Sequence, residues 1–276
     1  MTCRLYQFIN YALRPLLYPA LRPALLPLAV VCLWLVPLRA GSVAAPGVGE
    51  VAGVVMLRGE GAGAGVTRLR QGDVLPPDGV AVVTGAGSRV ELVAADGGVC
   101  RVGSLALWMP SPAGGRLLSG TVLVDVPEGR ERAVDSTTGR ARLGSGLWIV
   151  QAMHNEGLKL ICLDGPGAVV AAGGAEPAGD APARLTLRPG ELVFLRPGGR
   201  EFGPVVTIFL QELLVTSRLV NGFSQPAPRA ARLRWQALAQ AERLGRVTNA
   251  LVAGARDGEG FQLVVPRGAP DRKRAR

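Results

Sequence analysis

The chain has 276 residues, 48% of them hydrophobic, with 38 Gly, 21 Pro and four Cys. That is length enough for one large or two ordinary domains around a real core, and the Gly and Pro load excludes a helical bundle. The net charge of +10 does not read as a nucleic-acid footprint: residues 45–224 hold 16 Lys and Arg against 17 Asp and Glu, and the excess sits in 1–44, 225–255 and 256–276.

In residues 1–44, Arg4, Arg14 and Arg22 precede an apolar run from Pro23 to Leu38, and Ser42-Val43-Ala44 then offers small residues of the kind a signal peptidase reads. The expectation is a signal peptide cleaved after Ala44. The run is interrupted by Pro27 and Pro37 and falls short of the ~20 residues that span a bilayer comfortably. The long basic region keeps an uncleaved anchor as the alternative, with the membrane touched only through 1–44. Val31 before Cys32 argues against a lipoprotein signal. Cleavage leaves Cys100 and Cys162, each on a predicted strand. A disulfide needs those strands within about 7 Å between Cα atoms, and otherwise both are buried free thiols.

From Gly53 to Leu195, short runs rich in Val and Leu alternate with Gly, Asp-Gly or Pro. Strands are predicted at Val51–Arg58, Val66–Leu69, Val80–Thr84, Arg89–Ala94, Val99–Val102, Leu105–Met109 and Val122–Val126. More follow at Arg132–Ser136, Leu147–Ala152, Leu158–Leu163, Ala168–Ala172, Leu185–Leu187 and Leu192–Leu195. Asp96-Gly97-Gly98 reads as a hairpin turn between two of them. Gly59–Gly65 and Gly173–Pro182 read as excursions without an apolar face.

After Gly203 the period changes. Ile208, Phe209, Leu213, Leu214, Leu219, Val220 and Phe223 recur at helical spacing, predicting a first helix, and Pro226 and Pro228 break it. Arg229–Val252 reads as a second helix with Leu233, Ala237, Ala241, Leu244, Thr248 and Leu251 on one stripe and Gly254 as its stop. A last strand is predicted at Phe261–Val265, before a disordered basic tail. The organisation is therefore a leader (1–44), a β domain (50–200), a helical extension (204–255), and a short strand with tail (256–276).

With the strands placed, a resemblance can be given. Gly53-Val54-Val55, Leu69-Arg70-Gln71-Gly72-Asp73, the run Val83 to Leu92, Asp96-Gly97, Leu118-Ser119-Gly120-Thr121-Val122, Gly146 to Val150 and Leu187-Arg188-Pro189-Gly190-Glu191 together resemble the extracytoplasmic domain of the FecR family, over roughly Gly53 to Leu195. The resemblance implies an exported β-rich domain used for protein contact. Regulators of that family carry a cytoplasmic anti-sigma segment of several dozen residues before a membrane span, whereas about 22 residues precede the apolar run here. Sigma-factor signalling and iron uptake are therefore not implied. Gly146-Leu147 also replaces the family's usual Gly-Thr.

No catalytic constellation emerges. The sole histidine, His154, reads as a turn residue in His154-Asn155-Glu156-Gly157. Arg142 stands where a nucleophile elbow through Ser145 wants its first Gly, and Val90 where a dinucleotide loop after Gly85 wants its third. Asp73 reads as satisfying its own turn. Glu91, Asp96, Asp125 and Glu128 are carboxylates that nothing singles out, and neither a metal nor a cofactor site is expected. The expected fold is mostly β, as a short β-solenoid or rolled sheet with a β-sandwich as alternative, followed by two C-terminal helices. The expected function is a non-enzymatic periplasmic or secreted module that binds a protein partner in the cell envelope. The alternatives are a membrane-anchored sensor and a β-helical carbohydrate-active enzyme with two or three acids converging in a groove.

Overall fold

The computed structural model describes residues 45–59, 65–76, 79–153, 157–165, 167–172, 183–244, 251–253 and 262–264, all within the unit Val43–Arg276. The expected leader 1–44, the excursions at 60–64 and Gly173–Pro182, His154 and the basic tail lie outside the described residues. Among the described residues, no helix is long and apolar enough to cross a membrane.

In chain order the strands are β1 Gly47–Ala52, β2 Val55–Gly59, β3 Val66–Arg68, β4 Val80–Thr84, β5 Arg89–Val93, β6 Val99–Val102, β7 Leu107–Ser111 and β8 Gly114–Val126. They continue as β9 Arg132–Asp135, β10 Arg140–Leu143, β11 Gly146–Met153, β12 Gly157–Asp164, β13 Gly167–Ala172, β14 Arg184–Leu187, β15 Glu191–Leu195 and β16 Val206–Thr207. All belong to one open mixed sheet, which is the rolled form of the expectation.

The roll turns on β8, whose two halves pair with different neighbours. Gly114–Ser119 pairs with β7 and, in parallel, Gly114–Arg116 pairs with β9. Gly120–Val126 pairs with β11, and Val122–Val124 with β6. Layer A is β1-β5-β6-β8-β11-β12-β15-β16, and layer B is β3-β2-β4-β7-β8-β9-β10-β13-β14. Gly120 marks the switch with φ +82, and a Cβ there would stand 2.5 Å from the Ala106 Cβ. Only glycine meets both demands, because an L side chain is strained in this backbone region and has no room.

One core lies between the layers. Val122, Val124 and Val126 of β8, Trp148 and Val150 of β11, Leu158, Leu160 and Cys162 of β12, and Val193 and Leu195 of β15 meet Val55, Val82, Trp108, Leu117, Val134 and Leu143 from layer B. The period of two sends the alternate residues of layer A to its other face: Leu123, Leu147, Ile149, Ile161, Leu163 and Leu192. β12 is consequently buried along its whole length, the pattern of a strand covered on both faces.

Three short helices supply that second cover: α1 Leu210–Thr216, α2 Arg218–Asn221 and α3 Ala230–Leu244. They bring Leu210, Leu213, Leu219, Leu233 and Ala237 onto layer A. The single helix expected before Pro226 is interrupted at Ser217, which is buried and extended (φ −76, ψ 115). Thr216 Oγ1 donates to the Glu212 carbonyl, and the Asn221 amide donates to the carbonyls of Leu214 and Val215, so side chains close the last turn of α1. The second helix is shorter than Arg229–Val252. Leu251–Ala253 forms strand β17, antiparallel to β18 at Gln262–Val264, with glycines at 254, 258 and 260 between two runs of strand-forming residues.

The cysteines lie on one row of layer A, where Cys100 faces Val124, Val124 faces Trp148, and Trp148 faces Cys162. Three strand spacings of about 4.8 Å separate them by roughly 14 Å, twice the reach of a disulfide. Both are free.

Replacing Gly120 by Val is expected to destabilise the chain by about 2–4 kcal/mol, from left-handed strain plus overpacking against Ala106. The check is the urea midpoint at unchanged slope.

Candidate functional site

Of the carboxylates weighed in the sequence, Asp73, Asp96, Glu91 and Asp125 are held in structural pairings. Asp73 Oδ2 accepts the Arg70 backbone N–H at 2.7 Å, closing its own turn. Asp96 accepts the Gly98 N–H at 3.1 Å inside the β5–β6 hairpin and pairs with Arg132. Burial opposes its ionisation, yet the Gly98 and Arg132 bonds outweigh burial and hold Asp96 below the usual carboxylate range. Glu91 is paired with Arg101, Asp125 with Arg229, and Glu128 is exposed in the turn after β8. Ser145 latches a neighbouring turn, accepting the Gly129 N–H and donating to the Arg130 carbonyl. Among the described residues no group of three His, Cys, Asp or Glu side chains is placed to hold a metal.

Two arginines account for most of this arrangement, and both join the helical cap to layer A. Arg101 on β6 is fully buried. Its Nε donates to Glu91 at 2.7 Å, Nη1 to the Leu219 and Val220 carbonyls at 3.1 Å, and Nη2 to the Gln225 and Pro226 carbonyls at 2.9 Å. All five guanidinium donors are used, as burial of this group requires. The Phe223 ring lies 4.3 Å from the guanidinium carbon, adding a cation–π contact. Beside it, Glu50 of β1 accepts from the Ser224 hydroxyl and from the Ser224 N–H at 2.8 Å, and these bonds hold the Glu50 carboxyl low.

Arg229 anchors the start of α3. Its Nε lies 2.9 Å from Asp125 Oδ1, its Nη1 3.0 Å from Asp164 Oδ2, and its Nη2 donates to the Val126 carbonyl at 2.8 Å. Asp164 is fully buried and is also met by Arg232 Nε at 2.9 Å and Gln236 Nε2 at 2.6 Å. Burial pushes the Asp125 carboxyl up, and Arg229 offsets part of that rise. Arg229 carries φ +58, a left-handed conformation that costs a non-glycine residue about 1–2 kcal/mol and is held here by three partners. Gln240 completes the attachment: its Oε1 accepts the Leu210 N–H at 2.8 Å, replacing the side-chain cap that Phe209 cannot provide, and its Nε2 donates to Ile208.

Among the described residues the other left-handed non-glycine residue is Leu105, at φ +52, and it faces outward. It sits in the β6–β7 loop against the Gly85-Ala86-Gly87 turn, and the residue is 61% exposed. Leu105 N donates to the Gly85 carbonyl at 3.3 Å, and its own carbonyl accepts from Ser119 Oγ. Ser104 Oγ accepts the Gly87 N–H at 2.8 Å, Thr84 Oγ1 bridges the Gly103 carbonyl and the Ala106 N–H, and Ser88 Oγ accepts the Val54 N–H at 2.9 Å. Val54, adjoining Gly85, is 53% exposed. The cluster Val54, Ala86, Leu105 and Ser119 bears no charge and is fixed by side-chain hydrogen bonds from four hydroxyls.

Sequence reading placed Gly85–Gly87 as a turn but missed Leu105 and Arg101. Leu105 reads as the start of a strand, and nothing local announces a left-handed leucine. Arg101 reads as the polar residue of an alternating strand, because its carbonyl partners lie 118 to 125 residues away.

No protein-family model matches the chain, and no curated protein matches it. Among the solved structures similar to this chain are two each described as a "putative anti-sigma factor" from Parabacteroides distasonis. One, at 12% identity and TM-score 0.36, is aligned over 46% of this chain and 59% of its own length. The other, at 10% identity and TM-score 0.35, is aligned over 67% of this chain and 98% of its own. A likeness this loose assigns neither family nor function.

Two predictions follow from the buried groups. Arg101→Ala is expected to destabilise the chain by about 3–5 kcal/mol, because it strands Glu91 and four carbonyls; denaturant unfolding reads this directly. Burial pushes both thiols up to about 12, and Cys162 is fully buried whereas Cys100 is half-buried. Cys162 should resist a thiol reagent in native protein and react fully once it is unfolded, with the half-buried Cys100 reacting first.

Proposed function

We propose that this chain is an exported, non-enzymatic protein-contact module of the cell envelope, with a FecR-like domain at roughly residues 50–200 that engages a protein partner through the Leu105 cluster. The observation that carries the reading is Leu105 itself. A strained backbone costs stability, and a largely exposed leucine side chain recovers little of it, so a contact made by that side chain in a complex accounts for the conformation. The cluster suits a protein partner offering an uncharged apolar recess, since it is pre-formed, small and without charge. The commitment of Glu91, Asp96, Asp125 and Asp164 to arginines supports a contact role over acid–base chemistry. Export follows from the leader expected at 1–44.

Leu105→Gly separates the functional demand from the structural one. Glycine relieves the left-handed strain, so thermal stability should hold or rise by up to about 1 kcal/mol. Crosslinking in the envelope fraction, followed by affinity capture, should recover a partner with the native chain and lose it with Leu105→Gly and Leu105→Ser. Capture of the same partner by both variants would overturn the reading. Mass spectrometry of the exported chain should find Ala45 as the amino terminus; a terminus at Met1 would favour the anchored sensor.

A further inference from the structure

A helix docked on one layer needs one apolar stripe, and α3 has two. Leu233, Ala237 and Gln240 form the buried stripe against layer A. On roughly the opposite side, at 100° per residue, lie Ala231, Trp235, Leu238 and Glu242, at steps of four, three and four, which is the a/d spacing of a two-helix seam. All four are exposed, Trp235 by 71% and Leu238 by 65%. Trp235 is thus an indole in solvent, whereas Trp108 and Trp148 are fully buried.

We propose that this second seam pairs with the same seam of a second copy of the chain, antiparallel about a two-fold axis near Gln236 and Ala237. That register sets Trp235 against Leu238 of the second copy, and the symmetry repeats the contact, so one patch is its own complement. Charge selects the direction. Arg234 is exposed beside the seam and Glu242 stands at its end, so antiparallel pairing brings each Arg234 towards the Glu242 of the other copy. Parallel pairing would put arginine beside arginine. The seam covers about three helical turns, which makes a small interface and a reversible dimer. The pairing uses a different part of the fold from the Leu105 cluster and stands whether or not that cluster binds a partner.

Sedimentation velocity of the full chain between about 1 and 100 μM tests the proposal, in the range where micromolar association is visible. The native chain should show a monomer–dimer equilibrium, and Trp235→Glu and Leu238→Glu should each weaken it by about tenfold or more. Val66→Glu, at an exposed apolar position outside the cap, should leave it unchanged. Arg234→Glu alone should weaken association and the pair Arg234→Glu/Glu242→Arg should restore it. A native chain that stays monomeric throughout would overturn the proposal, as would a dimer indifferent to Trp235→Glu. Monomers that float with anionic vesicles through Trp235 would also overturn it, assigning the seam to a lipid surface.

Discussion

Layer A carries apolar side chains on both faces, and this constraint organises the molecule. One face is met by layer B, which the chain reaches by turning β8 at Gly120. The other has no sheet to meet, and Leu123, Leu147, Ile149, Ile161, Leu163 and Leu192 would stand in water without the cap. Each such side chain gains about 1.5–3 kcal/mol from burial, so the helices belong to the core of the fold. They are too short to persist alone in water, and the dependence therefore runs both ways.

Polar contacts fix where the cap sits. Apolar faces slide at little cost, whereas Arg101 has one position in which all five donors are satisfied, and Asp164 one in which Arg229, Arg232 and Gln236 converge on it. Such buried ionic groups add little net stability against an apolar alternative, but they penalise every misplacement. Burial also lowers Lys159, on the cap-facing side of β12, to about 8. Among the described residues two non-glycines are left-handed, and they differ in what they meet: Arg229 is held by partners inside the molecule, while Leu105 is largely exposed.

Much of the fold was legible because it follows from local period. The strand Arg89–Val93, the Asp96-Gly97 turn and the return strand Val99–Val102 form the hairpin expected, and the change of period after Gly203 does mark the helices. What stayed hidden was non-local. β8 belongs to two layers, yet its sequence shows only Gly120 between two apolar runs. β10 is missing from the predicted strands because Arg-Ala-Arg-Leu, although it alternates, offers only Ala141 and Leu143 to the core, too short an apolar face to stand out. β17 was absorbed into a helix because Leu251 continues the helical stripe, and only pairing with Gln262–Val264 decides otherwise. The candidate site was the least legible, since a left-handed leucine has no sequence signature and arises from hydroxyls spread between Thr84 and Ser119.

The cap and the rolled sheet form one cooperative body, within which the Leu105 cluster is pre-formed. Site-resolved native-state hydrogen exchange tests it most directly. The account predicts that amides of α3 share the opening free energy of β11 and β12, and that the Leu105 amide, bonded to Gly85, is protected with the sheet. Free exchange of α3 or of Leu105 beside a protected β12 would contradict it.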